Sequence, residues 1–179
     1  MLLTRLHFFA LSAAVTLAQS PSVEIASNYR VQTNVTYMKE GTWEGKLDIY
    51  QRTDSAVHPT LVYFHGGDSL SSSKEPAILS LLPYLEWGWN VVNVEHHYPS
   101  ATIAPAAMAN AFCAVRWVVR NAGNYGFDAS RLVLSGGSSG GWFALTSAII
   151  PRPDGSDPSC PGNELVRVAP SSTGMELRI

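Results

Sequence analysis

The stretch 131–145 constrains this chain most, because strand-like sequence there passes into helix-compatible sequence across a few glycines. It opens with an apolar run that predicts a strand. Ser138 then stands between Gly136 and Gly140 in a Gly-x-Ser-x-Gly spacing. A helix-compatible run, 142–150, follows at once. We therefore predict a sharp strand-to-helix turn that carries Ser138.

Ser138 is the candidate nucleophile of the chain. A serine on so sharp a turn adopts strained backbone angles and crowds its neighbours, and glycine avoids the clash because it has no Cβ. The following helix directs its free N–H groups toward the space over Ser138 Oγ, where negative charge develops on an attacked carbonyl oxygen.

Two other interpretations of the glycines at 136–141 exist, an ordinary turn and a cradle for a phosphate at a helix N-terminus. A phosphate site fits poorly, because the stretch has no Gly-x-Gly-x-x-Gly register and no lysine follows the glycines. The nucleophile interpretation is therefore favoured.

Composition limits the size of the protein and the class of its partners. A chain of 179 residues with 46% hydrophobic residues predicts one domain with a buried core. The net charge of -2 and the absence of a basic block argue against nucleic acid or an anionic membrane surface as the main partner. Small uncharged substrates stay possible.

Residues 1–18 have the makeup of a secretory signal peptide. Arg5 supplies a positive charge, 6–17 is mainly apolar, and 16–18 is an acceptable cleavage site. The alternative is a membrane anchor, but the run is shorter than the roughly 20 apolar residues that span a bilayer. We expect a secreted or periplasmic protein whose mature domain covers 19–179, with no membrane span after signal removal.

The two cysteines allow two interpretations. Export would give Cys113 and Cys160 an oxidising compartment in which they could pair. Cys113 also lies within an apolar helical pattern, so it could equally be a small core residue.

The remaining pattern alternates strands with helices. An antiparallel hairpin is predicted first, and the alternation that follows predicts a mostly parallel sheet with helices on both faces, the α/β class. Predicted strands cover 29–37, 46–50, 60–64, 90–95, 132–134 and 165–169, and predicted helices cover 75–87, 105–121 and 142–150. Pro105 is predicted as a first helical residue, Gly123 and Gly126 as helix ends, and Asp128 with Ser130 as a turn.

A second motif, His65-Gly66-Gly67, follows the predicted strand at 60–64. Glycines there let backbone N–H groups approach a substrate carbonyl, and together with the Ser139 N–H they could form an oxyanion hole. In such a loop, His65 is expected to hold the backbone and not to act as the catalytic base.

Together these motifs resemble the α/β-hydrolase fold, within it the esterases and lipases related to hormone-sensitive lipase and the feruloyl-esterase-like carboxylesterases. The resemblance runs from about Asp48 to Ala169. It rests on Val62-Tyr63-Phe64-His65-Gly66-Gly67, Val92-Asn93-Val94-Glu95, Ala104-Pro105-Ala106-Ala107, Arg116 to Ala122, Tyr125 to Arg131 and the turn at Ser138, in the family's order.

The resemblance implies hydrolysis of small-molecule carboxylic esters through an acyl-enzyme on Ser138. The N–H groups of Gly66, Gly67 and Ser139 would stabilise the oxyanion, with no metal and no organic cofactor. Related peptidases that act on small substrates share the same turn. His96 and His97 replace the Tyr-Arg pair usual in this group, but adjacent residues on an extended chain point to opposite sides, which argues against a shared metal.

The catalytic histidine and acid of this fold follow the nucleophile in sequence. No histidine follows Ser138 here, so we expect little activity from this chain, and a non-catalytic binding protein is the alternative. Read one frame away, the codons available to 169–179 can spell Ala-Val-Ile-Asn-Trp-Tyr-Gly-Ile-Thr-Asp, which suits the next strand. We therefore expect a frameshift after Val168, with an aberrant tail at 170–179 on a partial α/β-hydrolase domain.

Overall fold

The computed structural model describes residues 26–67, 73–96, 103–150 and Cys160. In chain order its elements are β1 (Tyr29–Glu40), β2 (Trp43–Arg52), β3 (His58–Phe64), a 3₁₀ turn (Glu75–Ala77), α1 (Ile78–Glu86), β4 (Asn90–Val94), α2 (Ile103–Arg120), α3 (Ala122–Tyr125), β5 (Phe127–Gly136) and α4 (Ser139–Ile149). The predicted signal peptide at 1–18, strand at 165–169 and aberrant tail at 170–179 lie outside the described residues.

The strands form one mixed sheet in the order β1-β2-β4-β3-β5. β1 pairs antiparallel with β2, which confirms the predicted hairpin, and β2 pairs antiparallel with β4. β3 lies between β4 and β5 and is parallel to both. The carboxyl ends of these three parallel strands therefore meet at one edge of the sheet.

Helices cover both faces of this sheet, as the alternating sequence predicts. Successive strand residues point to opposite faces, and in β3 the buried Leu61 packs against the side of α1 while the buried Val62 packs against α2 and α4. Among the described helices, none is long and apolar enough to cross a membrane.

The start of α2 differs from the prediction. We expected Pro105 to be the first helical residue, but α2 begins at Ile103. A proline is tolerated two residues further in, because the amide groups of a helix's first turn have no intrahelical acceptor.

The glycines after α2 have separate roles. Gly123 was predicted to end a helix, but it lies inside α3. Gly126 does end that helix, with a φ of 64° and its N–H bonded to the Ala122 carbonyl oxygen. Its own carbonyl oxygen accepts hydrogen bonds from His58 N and Asn90 Nδ2, at 3.0 and 2.8 Å. This left-handed turn therefore fastens the helix to the sheet.

The turn predicted at Asp128 and Ser130 lies within β5, because the strand already begins at Phe127. Pairing with β3 is irregular there, as His58 faces Phe127 but Thr60 faces Leu132. Asp128 Oδ1 accepts hydrogen bonds from Ser130 N and Oγ, at 2.9 and 2.6 Å. The hydrogen bonds expected of a turn are therefore present, but they lie inside the strand, where its pairing with β3 is irregular.

Candidate active site

Ser138 lies at the junction of β5 and α4, with an exposed side chain. Its φ of 50° and ψ of -120° place it in a region that non-glycine residues seldom adopt. α4 begins at Ser139, three residues before the predicted start, so the helix follows Ser138 directly. Ser138 O accepts hydrogen bonds from Gly141 N and Trp142 N, at 2.9 and 3.4 Å.

Neither Gly136 nor Gly140, the glycines on either side of Ser138, has a positive φ, so backbone conformation does not require them. Both must be glycine because other backbone atoms lie too close for a Cβ. A Cβ on Gly140 would lie 2.1 Å from Phe64 O, and one on Gly136 would lie 2.4 Å from Gly140 C and 2.5 Å from Phe64 O. The turn at Ser138 is therefore pressed against the end of β3.

The predicted His65-Gly66-Gly67 motif lies beside Ser138. A Cβ on Gly66 would approach Gly137 O to 2.7 Å and Ser138 Cβ to 3.4 Å. Gly137 N also donates a hydrogen bond to Phe64 O at 3.3 Å. The two motifs, about 70 residues apart in sequence, meet because they follow adjacent parallel strands.

Ser139 makes a side-chain contact that the sequence analysis missed. Gly67 N donates to Ser139 Oγ at 3.2 Å, and Ser139 Oγ donates to Gly67 O at 2.8 Å. One of the three predicted oxyanion donors, the Gly67 N–H, is thus already hydrogen-bonded. The sequence analysis had considered only the backbone N–H of Ser139 and not its hydroxyl.

His65 is buried, and its ring contacts its own loop and the end of β4. Its Nδ1 donates to Gly66 O at 3.0 Å, and its Nε2 lies 3.4 Å from Glu95 Oε1. The ring stacks on His96 with centroids 4.0 Å apart. The two ring nitrogens of His65 therefore face Gly66 O, within the glycine motif, and Glu95 Oε1, beside it.

His96 is also buried, and its Nε2 donates to His65 O at 2.9 Å. Burial, together with the neighbouring His65 ring, lowers the pKa of His96 to about 4, so the ring is neutral near pH 7. His97 lies outside the described residues. Within 26–67, 73–96, 103–150 and Cys160, no group of three or more His, Cys, Asp or Glu is placed to hold a metal ion.

A further histidine and carboxylate pair lies at the opposite end of β3. His58 Nε2 is 2.5 Å from Asp54 Oδ1. Hydrogen bonds from His58 and Arg52 lower the pKa of Asp54 to about 2. β3 separates this pair from the Ser138 turn by its full length, about 20 Å at roughly 3.3 Å per residue. His58 therefore cannot act on Ser138.

The two cysteines are paired. The Cys113–Cys160 disulfide joins α2 to the chain beyond α4, with Cα atoms 5.2 Å apart and both residues buried. Of the two interpretations left open by the sequence, the structure has the disulfide, and Cys113 also packs in the core.

A parallel-strand edge with a serine on a strained strand-to-helix turn is typical of one class of proteins, the α/β-hydrolase fold. The BD-FAE family model matches residues 47–164, and the chain belongs to this family. The esterase LipQ of Mycobacterium tuberculosis is 30% identical over 125 residues, which cover 68% of this chain and 30% of LipQ.

Solved structures agree with this assignment. The hyperthermophilic esterase of the archaeon Pyrobaculum calidifontis matches with a TM-score of 0.61 and 28% identity, covering 72% of this chain and 42% of that one. The thermophilic esterase Est2 of Thermogutta terrifontis matches with a TM-score of 0.61 and 26% identity, covering 69% and 45%. The matched part of the chain thus spans less than half the length of these relatives.

Proposed function

We propose that this protein is a serine carboxylesterase that forms an acyl-enzyme on Ser138. The observation that carries the proposal is the exposed Ser138, held at a φ of 50° with the backbone of Gly66 packed against it. A serine on such a turn beside a glycine loop supports acyl transfer, which requires a nucleophile close to backbone N–H donors. The esterase names of the relatives support carboxylic esters as the substrate class.

In the proposed reaction, Ser138 Oγ attacks the ester carbonyl carbon while a base accepts its proton. The carbonyl oxygen becomes an oxyanion that accepts hydrogen bonds from the N–H groups of Gly66, Gly67 and Ser139. The alcohol then leaves with a proton, and water releases the acid from Ser138. The Gly67 N–H becomes available only when its bond to the Ser139 hydroxyl is exchanged for one to the oxyanion.

We further propose that the 179-residue chain turns over slowly by itself. No histidine follows Ser138 in the sequence, which is where this fold supplies its base, and His58 lies at the far end of β3. A serine without its base keeps only the residual rate that binding and an oxyanion hole provide, about 10³ to 10⁴ over water.

The test is covalent labelling of the purified chain with a fluorophosphonate probe, followed by peptide mapping. We expect an adduct on Ser138 that is lost in Ser138→Ala and kept in Ser130→Ala, which replaces an exposed serine within β5. Because the chain lacks its base, labelling is expected to be slow and is followed through a long incubation at high probe concentration. A folded chain that still carries no adduct at Ser138 would contradict the proposal and favour a non-catalytic binding protein.

A second experiment concerns the missing base. We expect the nucleotide sequence after the Val168 codon, read in the alternative frame, to continue through an acid and a histidine. The chain extended in that frame should hydrolyse p-nitrophenyl acetate faster than the 179-residue chain. A closed frame, or an extended chain with no gain in rate, would refute the frameshift.

We also propose that the protein is exported. The composition of residues 1–18 supports this location, and so does the disulfide, because disulfides persist in oxidising compartments. Mass spectrometry of the protein from its native host should find a mature N-terminus near Gln19. An intact N-terminus in the cytosolic fraction would argue against export.

A further inference from the structure

Glu95 follows β4 and contacts His65, which precedes the two glycines, and Lys74, which follows them in the chain. Its Oε1 lies 3.4 Å from His65 Nε2, and its Oε2 accepts a hydrogen bond from Lys74 N at 2.9 Å. His65 directly precedes Gly66 and Gly67, and Lys74 lies further along the same connection between β3 and α1. We propose that Glu95 is a positioning residue for the oxyanion hole: its carboxylate is bonded to Lys74 N and faces the His65 ring, so that the adjoining Gly66 and Gly67 backbone keeps its place beside Ser138.

The Lys74 side of this arrangement is firmly anchored. Lys74 is only 2% exposed, and its Nζ contacts Asp48 Oδ2 at 3.4 Å, Glu75 Oε1 at 2.8 Å and Asn34 Oδ1 at 3.0 Å. Its carbonyl oxygen accepts a hydrogen bond from Asn93 Nδ2 at 2.8 Å. A buried lysine with this many partners is a fixed point of the structure, because moving it would leave charges buried and unpaired.

Glu95 itself is held by its backbone. Its N–H donates to Lys46 O at 2.9 Å, and its carbonyl oxygen accepts from Tyr37 Oη at 2.8 Å. The carboxylate therefore extends from a fixed main chain. One of its oxygens faces His65 Nε2, and the other accepts the hydrogen bond from Lys74 N. A planar group with two polar atoms can therefore contact His65 and Lys74 at once.

The inference rests on the proposed esterase function for its consequence. Backbone donors stabilise an oxyanion only if they are oriented before the reaction, and small displacements lose much of that stabilisation. Glu95 contacts the flanks of the motif and no reacting atom, so we expect it to affect the covalent step more than the initial binding of an ester or a probe.

The experiment compares Glu95→Ala with Glu95→Gln in the full 179-residue chain. The glutamine keeps the planar group and an oxygen for Lys74 N, and its NH₂ takes the place of the carboxylate oxygen that faces His65 Nε2, whereas alanine keeps none of these groups. Glu44→Ala is the matched control, because Glu44 is a partly exposed carboxylate bonded to Lys39 and Lys46 on the hairpin of β1 and β2. NMR-detected amide exchange at Gly67 and fluorophosphonate labelling of Ser138 are the two readouts.

In Glu95→Ala we expect Gly67 amide exchange to rise about tenfold or more above any general change, and the rate of the covalent labelling step to fall about tenfold with probe affinity nearly unchanged. Glu95→Gln should restore most of both, and Glu44→Ala should change neither. Unchanged Gly67 exchange in Glu95→Ala, or a rise equal to that throughout β3 and β5, would overturn the proposal. Failure of Ser138 labelling in the unmodified chain would refute the esterase function and leave the exchange result to decide the role of Glu95.

Discussion

Replacing Gly140 by alanine should destabilise this protein, although helix propensity alone predicts the opposite. Gly140 lies in the first turn of α4 without a positive φ. Alanine in place of glycine within a helix normally stabilises it by about 1 kcal/mol. A sequence-based choice of stabilising mutations would therefore include this substitution.

The structure supplies the opposing contribution. A Cβ on Gly140 would lie 2.1 Å from Phe64 O and 2.5 Å from His65 O, and real Cβ atoms essentially never come closer than 3.0 Å to such atoms. Relief requires a movement of 3.0 − 2.1 = 0.9 Å between α4 and the end of β3. Both obstacles are backbone atoms, and His65 O is also bonded to His96. Overpacking of this kind costs about 3 kcal/mol, so the net loss is about 2 kcal/mol.

Urea denaturation followed by circular dichroism measures this loss as a lower transition midpoint at an unchanged slope. Gly123→Ala is the matched control, because Gly123 lies in α3 with no positive φ and no atom within 4 Å of an added Cβ. The control should be more stable by up to about 1 kcal/mol. A Gly140→Ala chain as stable as the unmodified one would refute the close packing of the turn on β3.

Three further outcomes are expected. Ser138→Gly should stabilise the chain by about 1 kcal/mol in the same denaturation assay while abolishing labelling, because glycine adopts a φ of 50° without strain. Cys113→Ala should cost roughly 4 kcal/mol, given the separation of 47 residues from Cys160, and reductant should destabilise the unmodified chain but not this variant. Because burial lowers the pKa of His96 from 6.5 to about 4, the unfolded chain binds more protons between these values, so stability should fall by about 3 kcal/mol as the pH drops from 6.5 to 4. His96→Gln should flatten that profile.

The sequence predicted the candidate site best at positions where close backbone contacts require a glycine. Gly136 and Gly140 predicted the turn at Ser138, and Gly66 predicted a loop that approaches it. The structure packs Gly136 and Gly140 against each other and against the end of β3, and it packs Gly66 against Gly137 and Ser138. These positions were predictable because glycine is the one residue without a Cβ, although some of the atoms that a Cβ would meet lie on the distant strand β3.

Side-chain contacts between distant segments left no comparable signal. Lys74 follows a run of serines and would be expected in solvent, yet it is buried with its Nζ 3.4 Å from Asp48 Oδ2 on β2. Its burial depends on the pairing of β2 with β4, which no local pattern specifies. The hydroxyl of Ser139 likewise gains its partner Gly67 only when β5 lies beside β3.

The end of β3 connects the stability of the fold with the geometry of the site. Phe64 O accepts a hydrogen bond from Gly137 N and is the nearest obstacle to a side chain at Gly140, so β3 sets the position of Ser138. Glu95 acts from the other side, on the loop that follows β3. A change at Gly140 should therefore displace the serine and lower global stability, whereas a change at Glu95 should displace the donors with little effect on the core. The two kinds of variant thus separate the position of the nucleophile from the position of the oxyanion hole.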